Sequence, residues 1–167
     1  MGKWVKLAEE SGLSFVTFPA IGLNRYWEGV KRIIGKEGEA VLAYDSGKEA
    51  VKEMVRFLKK GWNLNGREFI KAAEEFFAEL GMGELSIIYP KIGLHRKKRI
   101  VFRIRNSYIA RSVSERSKEP VCHLFRGYAA GVIEELTGLK MDAEETKCLA
   151  MGDEYCEFVV RHVESVT

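Results

Sequence analysis

Three cysteines carry the most informative chemistry of this 167-residue chain, and all of them lie in its last third. Cys148 and Cys156 are equidistant from Gly152, so a hairpin centred on that glycine places the two sulfur atoms opposite each other. Cys122 falls in the first turn of a predicted helix, where the helix dipole is expected to lower the pKa of a thiol. Three sulfur ligands and one harder group complete a tetrahedral zinc site.

The spacing of these cysteines leaves other interpretations open. Free cysteine also behaves as a small apolar residue in protein cores, and no Cys-x-x-Cys motif is present. A reversible disulfide between Cys148 and Cys156 would make the chain a thiol redox module. Five nearby side chains offer a fourth ligand: His123, Asp142, Glu144, Glu145 and His162.

Residues 120–161 resemble the 4-vinyl reductase domain family. The resemblance rests on Pro-Val-Cys-His-Leu-Phe-Arg-Gly-Tyr-Ala-Ala-Gly at 120–131, Glu-Thr-Lys-Cys at 145–148 and Met-Gly-Asp-Glu-Tyr-Cys-Glu-Phe-Val-Val-Arg at 151–161. It implies a structural zinc ion held by Cys122, Glu145, Cys148 and Cys156. Residues three apart lie on opposite faces of a regular strand, so binding of one ion by Glu145 and Cys148 requires a turn or bulge between them.

The same resemblance implies a small-molecule-binding domain, such as the sensor module of a regulator of hydrocarbon metabolism, rather than an enzyme. Its phenol-sensing members use a His and a Trp that fall on Ala73 and Val101 here, so phenol recognition is not expected. A role in tetrapyrrole reduction is implied by the family name alone. The pocket is expected to hold an apolar or aromatic ligand. Eight aromatic residues are candidates for its wall: Tyr26, Trp27, Phe69, Phe76, Phe77, Phe102, Phe125 and Tyr128.

Composition narrows the class of protein. With 46% apolar and 31% charged residues, the chain is too apolar for a disordered protein and too charged for a membrane protein. The odd number of cysteines and the absence of a signal peptide predict a cytoplasmic protein. The chain has no Gln and four Asn, a bias that indicates selection at high temperature. The family resemblance further implies a homodimer, with a separate regulatory protein as the receiver of any signal.

Charge is distributed unevenly along the chain. Between residues 91 and 118 there are ten Lys or Arg and one Glu, whereas residues 141–167 contain seven acids and two basic residues. The basic stretch 91–111 supports an alternative function, binding of nucleic acid or of a regulatory partner. A solvated strand face is the more common reason for such a stretch, so nucleic acid is not the expected partner.

The elements that must position these residues follow from hydrophobic periodicity and from turn residues. Helices are predicted at 19–34, 40–60, 66–80 and 120–137, and strands at 13–18, 84–89, 99–105, 146–151 and 154–163. This order predicts an α/β (α+β) fold in which helices pack on one antiparallel or mixed sheet, with a zinc-binding hairpin at the C-terminal end. No linker or repeat interrupts the chain, so residues 1–167 are expected to form a single domain.

Overall fold

A four-stranded antiparallel sheet forms the base on which the helices pack. The computed structural model describes residues 2–16, 18–64, 66–88 and 99–163. The strands are β1 (Glu84–Ile88), β2 (Ile100–Arg105), β3 (Met141–Lys147) and β4 (Cys156–His162), in the spatial order β1-β2-β4-β3. The predicted fold class is therefore confirmed, and the sheet is antiparallel throughout.

Helices account for most of the remaining described residues. They are α1 (Lys3–Glu10), α2 (Ala20–Trp62), α3 (Gly66–Glu79), α4 (Tyr108–Arg111) and α5 (His123–Thr137). In the part of the chain that the structure describes, none of these helices is long and apolar enough to cross a membrane.

The sheet buries one face against the helices because its side chains alternate in polarity. In β2, Phe102 and Ile104 are buried, whereas Arg105 on the opposite face is exposed. Phe158 of β4 pairs directly with Phe102 and is fully buried, so the apolar row continues across the sheet. The alternation predicted for residues 99–105 is confirmed.

The N-terminal region differs from the prediction. Described residues between 13 and 18 form no strand, and the prediction of one there is wrong. A helix that the prediction missed, α1, precedes this segment and buries Val5 and Ala8, three residues apart. Leu13 and Phe15 instead pack against the apolar cluster that α1 covers, so they are buried without needing a strand partner.

The two helices predicted at 19–34 and 40–60 are one element with a sharp kink. Gly35 interrupts α2 with φ 77° and ψ 171°, a conformation that glycine adopts without the steric strain of other residues. Helical structure resumes directly after Gly35, so the predicted gap of several residues is wrong. The buried residues of α2 lie between Ala43 and Trp62.

The C-terminal elements are shifted relative to the prediction. The strand predicted at 146–151 is wrong, because β3 ends at Lys147 and a short 3-10 turn covers Leu149–Met151. The helix predicted from residue 120 begins at His123 and ends at Thr137, where Gly138 adopts the predicted left-handed conformation with φ 69°. The hairpin of β3 and β4 is confirmed.

Helix α5 is held against α2 by direct contact of their backbones. A Cβ atom built on Gly127 would lie 2.1 Å from the Tyr44 carbonyl oxygen, and one on Gly131 would lie 2.5 Å from that of Lys48. In the opposite direction, a Cβ on Gly47 would lie 2.4 Å from the Leu124 carbonyl oxygen. The absence of side chains at these three glycines therefore sets the distance between the helices and fixes where α5 lies on the sheet.

Candidate metal centre and apolar cavity

Cys122, Glu145, Cys148 and Cys156 form one buried group. One potential ligand atom from each residue lies within 4.8 Å of those of the other three. The three cysteines are fully buried and free, and Glu145 is 8% exposed. The Sγ atoms of Cys122 and Cys156 are 3.6 Å apart.

Each of these side chains reaches the site from a different element. Cys122 is the residue before the first turn of α5, and Cys156 is the first residue of β4, paired with Ile104. Glu145 occupies a buried position of β3, where the alternation of the strand otherwise places Met141 and Ala143. A carboxylate therefore stands in a row of apolar residues.

A bulge brings Cys148 to the same side as Glu145. The pairing of β3 with β4 shifts register between Glu145 and Lys147, which is the irregularity predicted for a shared ion. Cys148 then begins the 3-10 turn, and its backbone N–H donates to Asp153 Oδ2 at 2.8 Å. The turn also directs the Leu149 N–H to the Cys156 sulfur at 3.4 Å.

The geometry of the group fits a tetrahedral zinc site. Two thiolates bound to one zinc ion at about 2.3 Å each lie roughly 3.8 Å apart at the tetrahedral angle, close to the 3.6 Å between Cys122 and Cys156. Glu145 Oε2 accepts the Cys122 backbone N–H at 2.9 Å, whereas the buried Oε1 atom has no hydrogen-bond partner among the described residues. A buried carboxylate oxygen without a partner is costly, so the site presents a free ligand atom beside three thiols.

The titration of the group differs from the expectation for Cys122. The pKa of Cys122 is raised, first by its hydrogen bonds with the thiols of Cys148 and Cys156 and then by burial, and these effects exceed that of the helix dipole. The same contacts lower the pKa of Cys156. Burial and the neighbouring Cys148 raise the pKa of Glu145 to about 9. Without a cation, the group therefore favours a single thiolate on Cys156.

Three basic residues were expected to offset the negative charge of a filled site, and they lie in different places. Lys147 faces solvent and donates to the Tyr155 hydroxyl at 3.2 Å. Arg126 stacks on the Tyr44 ring, 4.5 Å from its centroid, and burial lowers the pKa of His123. His123 Nδ1 and Arg126 Nε are buried and lack partners among the described residues.

Sequence reasoning missed two groups that support the site. The Ser107 hydroxyl lies 3.5 Å from the Cys122 sulfur and also accepts the Ala110 N–H of α4. Asp153 holds the Cys148 turn, as described above. Ser107 carries no motif that would identify it, but an Asp directly after the turn glycine at 152 is typical of side chains that bond to their own turn.

An apolar cavity of about 50 Å³ lies between the sheet and helices α2, α3 and α5. Its described lining residues are apolar except for the hydroxyl group of Tyr128. Six of the eight aromatic candidates line it: Phe69, Phe76, Phe77, Phe102, Phe125 and Tyr128. Aliphatic residues that the aromatic pattern did not indicate complete the wall, among them Val51, Val55, Leu58 and Val132.

The other two aromatic candidates lie away from this cavity. Tyr26 and Trp27 are on the N-terminal part of α2, with ring centroids 5.2 Å apart, and the Tyr26 side chain is 60% exposed. Only from Ala43 onward does α2 carry residues that are buried, so aromatic residues earlier in the helix do not reach the cavity.

The basic strand face is largely neutralised by acids of the neighbouring strand and turn. Arg103 Nε donates to Glu157 Oε2 at 2.8 Å, and Arg105 pairs with Glu154. Both guanidinium groups also lie over the Tyr155 ring. The positive residues at 91 and 96–98 lie outside the described residues. The described part of the 91–111 stretch is therefore not a continuous basic surface.

Known proteins resemble this chain in sequence and in fold. The model of the 4-vinyl reductase domain matches residues 100–162. An uncharacterised protein of Methanocaldococcus jannaschii is 29% identical over 136 residues, which cover 81% of this chain and 72% of that protein.

Two solved structures share the fold. The phenol-responsive sensory domain of the transcription activator PoxR has a TM-score of 0.71 at 15% identity, covering 90% of this chain and 78% of that one. A vinyl-4-reductase family protein from Methanocaldococcus jannaschii has a TM-score of 0.67 at 21% identity, covering 97% of this chain and 92% of that one. The resemblance seen in the sequence is confirmed, and the chain belongs to the 4-vinyl reductase domain family through residues 100–162.

Proposed function

We propose that this protein is a small-molecule-binding domain with a sensory or regulatory role, in which a structural zinc ion ties α5 to the C-terminal hairpin. The observation that carries the proposal is the apolar cavity enclosed by the sheet and three helices. Its position in a fold shared with the phenol-responsive domain of PoxR supports a ligand-binding role. Residues 1–167 would act as one unit, without catalytic chemistry of their own.

The lining of the cavity indicates the chemistry of the ligand. The family resemblance places the phenol-contacting His at Ala73, which lines the cavity with a methyl group and offers no hydrogen bond. Val101, at the position of the Trp, is not among the described lining residues. The favoured ligand is therefore a hydrocarbon or another apolar molecule rather than a phenol.

Filling the cavity is expected to abolish ligand binding. Ala73→Leu adds three carbon atoms to the wall formed by α3, more than a cavity of about 50 Å³ accommodates beside a ligand. Benzene is a suitable probe, and its binding is measured from chemical-shift changes of the Val and Leu methyl groups that line the cavity. We expect saturable shifts in the wild type and at least a tenfold weaker affinity in Ala73→Leu, which corresponds to roughly 1.4 kcal/mol.

The matched control is Ala78→Leu, the same change at an exposed position of the same helix. It should leave the affinity for benzene unchanged. Equal affinity in wild type and Ala73→Leu would show that the probe binds elsewhere, and absence of saturable shifts in the wild type would contradict the proposed ligand class.

The zinc site would be closed by four protein ligands: Cys122, Glu145, Cys148 and Cys156. Such a site leaves no position for a reactive water, so the ion would supply a crosslink rather than catalysis. It would join the start of α5 to both strands of the hairpin. The free state of all three thiols supports a reducing, cytoplasmic location and a metal-ligand role rather than a permanent disulfide.

Zinc binding is expected to depend on pH. The raised pKa values of Cys122 and Glu145 mean that both groups carry a proton at pH 7 in the metal-free protein, whereas zinc requires their deprotonated forms. Affinity should therefore rise from pH 7 towards 9 and fall on acidification. Calorimetric titration with zinc in buffers of different ionisation enthalpy should detect the release of about two protons at pH 7. Heats that do not depend on the buffer would contradict the assignment.

The proposal also includes assembly as a homodimer. Eight of the large apolar side chains that are exposed in the described structure lie between Val16 and Leu42. This concentration on one segment is unusual for a monomer surface and is consistent with a protein interface. The mass of the protein under native conditions reports the dimer together with bound zinc and any copurified ligand.

A further inference from the structure

The cavity is too small for the ligands that its lining favours. A cavity of roughly 150 Å³ accommodates benzene, whereas this one has a volume of about 50 Å³. Entry of a ring therefore requires one wall to move outward. The walls differ in how firmly they are held, and this difference indicates which of them moves.

Two of the walls are fixed. Helices α2 and α5 touch through their backbones, where Gly127 leaves no room for a side chain beside Tyr44. The start of α5 lies against the sheet through Cys122 and Cys156, whose sulfur atoms are 3.6 Å apart. Separation of α5 from either neighbour would disrupt these contacts.

Helix α3 is the wall opposite them, and left-handed residues flank it at both ends. Asn63 and Gly66 precede its first turn with φ 48° and 54°. Gly81 and Gly83 follow its last turn with φ 72° and 130°, and a Cβ on Gly81 would meet no atom within 4 Å. Short segments of this kind absorb changes of backbone direction when a helix moves as a unit.

Helix α1 binds α3 through a carboxylate that replaces a missing cap. The residue before α1 is Gly2, which has no side chain to accept the first N–H groups of the helix. Glu79 of α3 accepts them instead, with Oε2 at 2.9 Å from the backbone nitrogens of both Trp4 and Val5. The Trp4 indole N–H also donates to Glu75 of α3 at 2.5 Å.

The other side of α1 rests on α2. The Trp4 ring packs against that of Trp62 with centroids 4.8 Å apart. Val5 and Ala8 are buried in the same cluster as Val55 and Leu58 of α2. Helix α1 therefore connects α3 to α2 from outside the cavity, whereas no residue of α1 is among the described lining residues.

We propose that α3 is the movable wall of the cavity and that α1 is a strap that holds it closed. The inference rests on the proposed ligand-binding function. Ligand enters when the contacts of Glu79 and Glu75 with α1 break and α3 swings away from α2 and α5. The strap controls the rates of entry and release more than the affinity, because both directions pass through the same open state.

The test compares Glu79→Ala with the wild type. Loss of the cap should raise the hydrogen-exchange rates of the protected α3 amides by about tenfold, which corresponds to roughly 1.4 kcal/mol, while those of α5 stay unchanged. Rates of benzene association and dissociation, from NMR line shapes, should both rise by a similar factor. The dissociation constant should stay within about threefold.

A second variant keeps the carboxylate. A Cβ on Gly2 would lie 2.0 Å from the Glu79 carboxyl carbon, so Gly2→Ala must displace this side chain and should act in the same direction. Glu9→Ala removes an exposed carboxylate from α1 and should change neither exchange nor benzene kinetics.

Unchanged α3 exchange in both Glu79→Ala and Gly2→Ala would overturn the strap, as would an equal increase in α3 and α5, which indicates global destabilisation. If benzene fails to bind the wild type, the proposed ligand class is wrong, and the exchange measurements still decide whether α1 holds α3.

Discussion

Cys148→Ser is expected to remove zinc from the protein and to lower the free energy of unfolding by more than about 4 kcal/mol, the range reached by loss of a structural metal. The reason is geometric, because Cys148 would link a turn of the hairpin to the start of α5, and its sulfur lies within 4.8 Å of the other ligand atoms. Zinc content is measured by elemental analysis of protein purified without a tag, and stability by chemical denaturation. Wild type should contain about one zinc per chain.

A matched pair on β3 separates loss of a ligand from loss of a charge. Glu145→Gln removes the buried carboxylate, whereas Glu144→Gln changes its exposed neighbour, which pairs with Arg161 at 2.6 Å. Only Glu145→Gln should weaken zinc binding, since an exposed ion pair contributes little to stability. A metal-free native protein with full stability would exclude the structural role of zinc.

Gly127→Ala is expected to destabilise the protein by about 3 kcal/mol or more, the upper range for overpacking a buried contact. The new Cβ atom would lie 2.1 Å from the Tyr44 carbonyl oxygen and 2.9 Å from the Lys48 backbone nitrogen. Both are backbone atoms of α2, so neither can rotate away, and the two helices would have to separate. Because α5 lines the cavity, benzene affinity should fall together with stability.

The control is Gly29→Ala, the same substitution in the other half of α2. Its Cβ would approach other atoms only to 4.0 Å, and the gain in helix propensity is expected to stabilise the protein by about 0.5–1 kcal/mol. Chemical denaturation of both variants provides the comparison. Equal effects at the two sites would show that glycine at the crossing contributes only backbone entropy.

Local patterns predicted those parts of the fold that depend on neighbouring residues. Alternation along residues 99–105 predicted a strand with one apolar face, and Gly138 predicted the end of α5. The strand expected at 13–18 was wrong because Leu13 and Phe15 are buried by α1 and α2, a contact that periodicity does not encode. Gly35 was expected to end a helix, but it only kinks α2, since a single residue changed the direction of the chain without stopping it.

The candidate site shows the same division. Residue types and the family resemblance named the four members of the metal-ligand group, and the requirement for a bulge after Glu145 followed from strand geometry. The sequence did not predict the raised pKa of Cys122, because hydrogen bonds from two thiols distant in the chain outweigh the local helix dipole. Tyr26 and Phe76 have equally apolar surroundings in sequence, yet only Phe76 lines the cavity.

The sequence by itself determined the class of fold, the family and the cysteines that could bind zinc, because these depend on residue type and on spacing along the chain. Tertiary structure alone decided how the cavity is enclosed and which of its walls is held by backbone contact. It also placed Glu79 at the open end of α1, 75 residues away from Trp4 in the chain. Contacts between distant segments depend on how helices pack in space, and packing distances such as that at Gly127 are set only when both helices are in place.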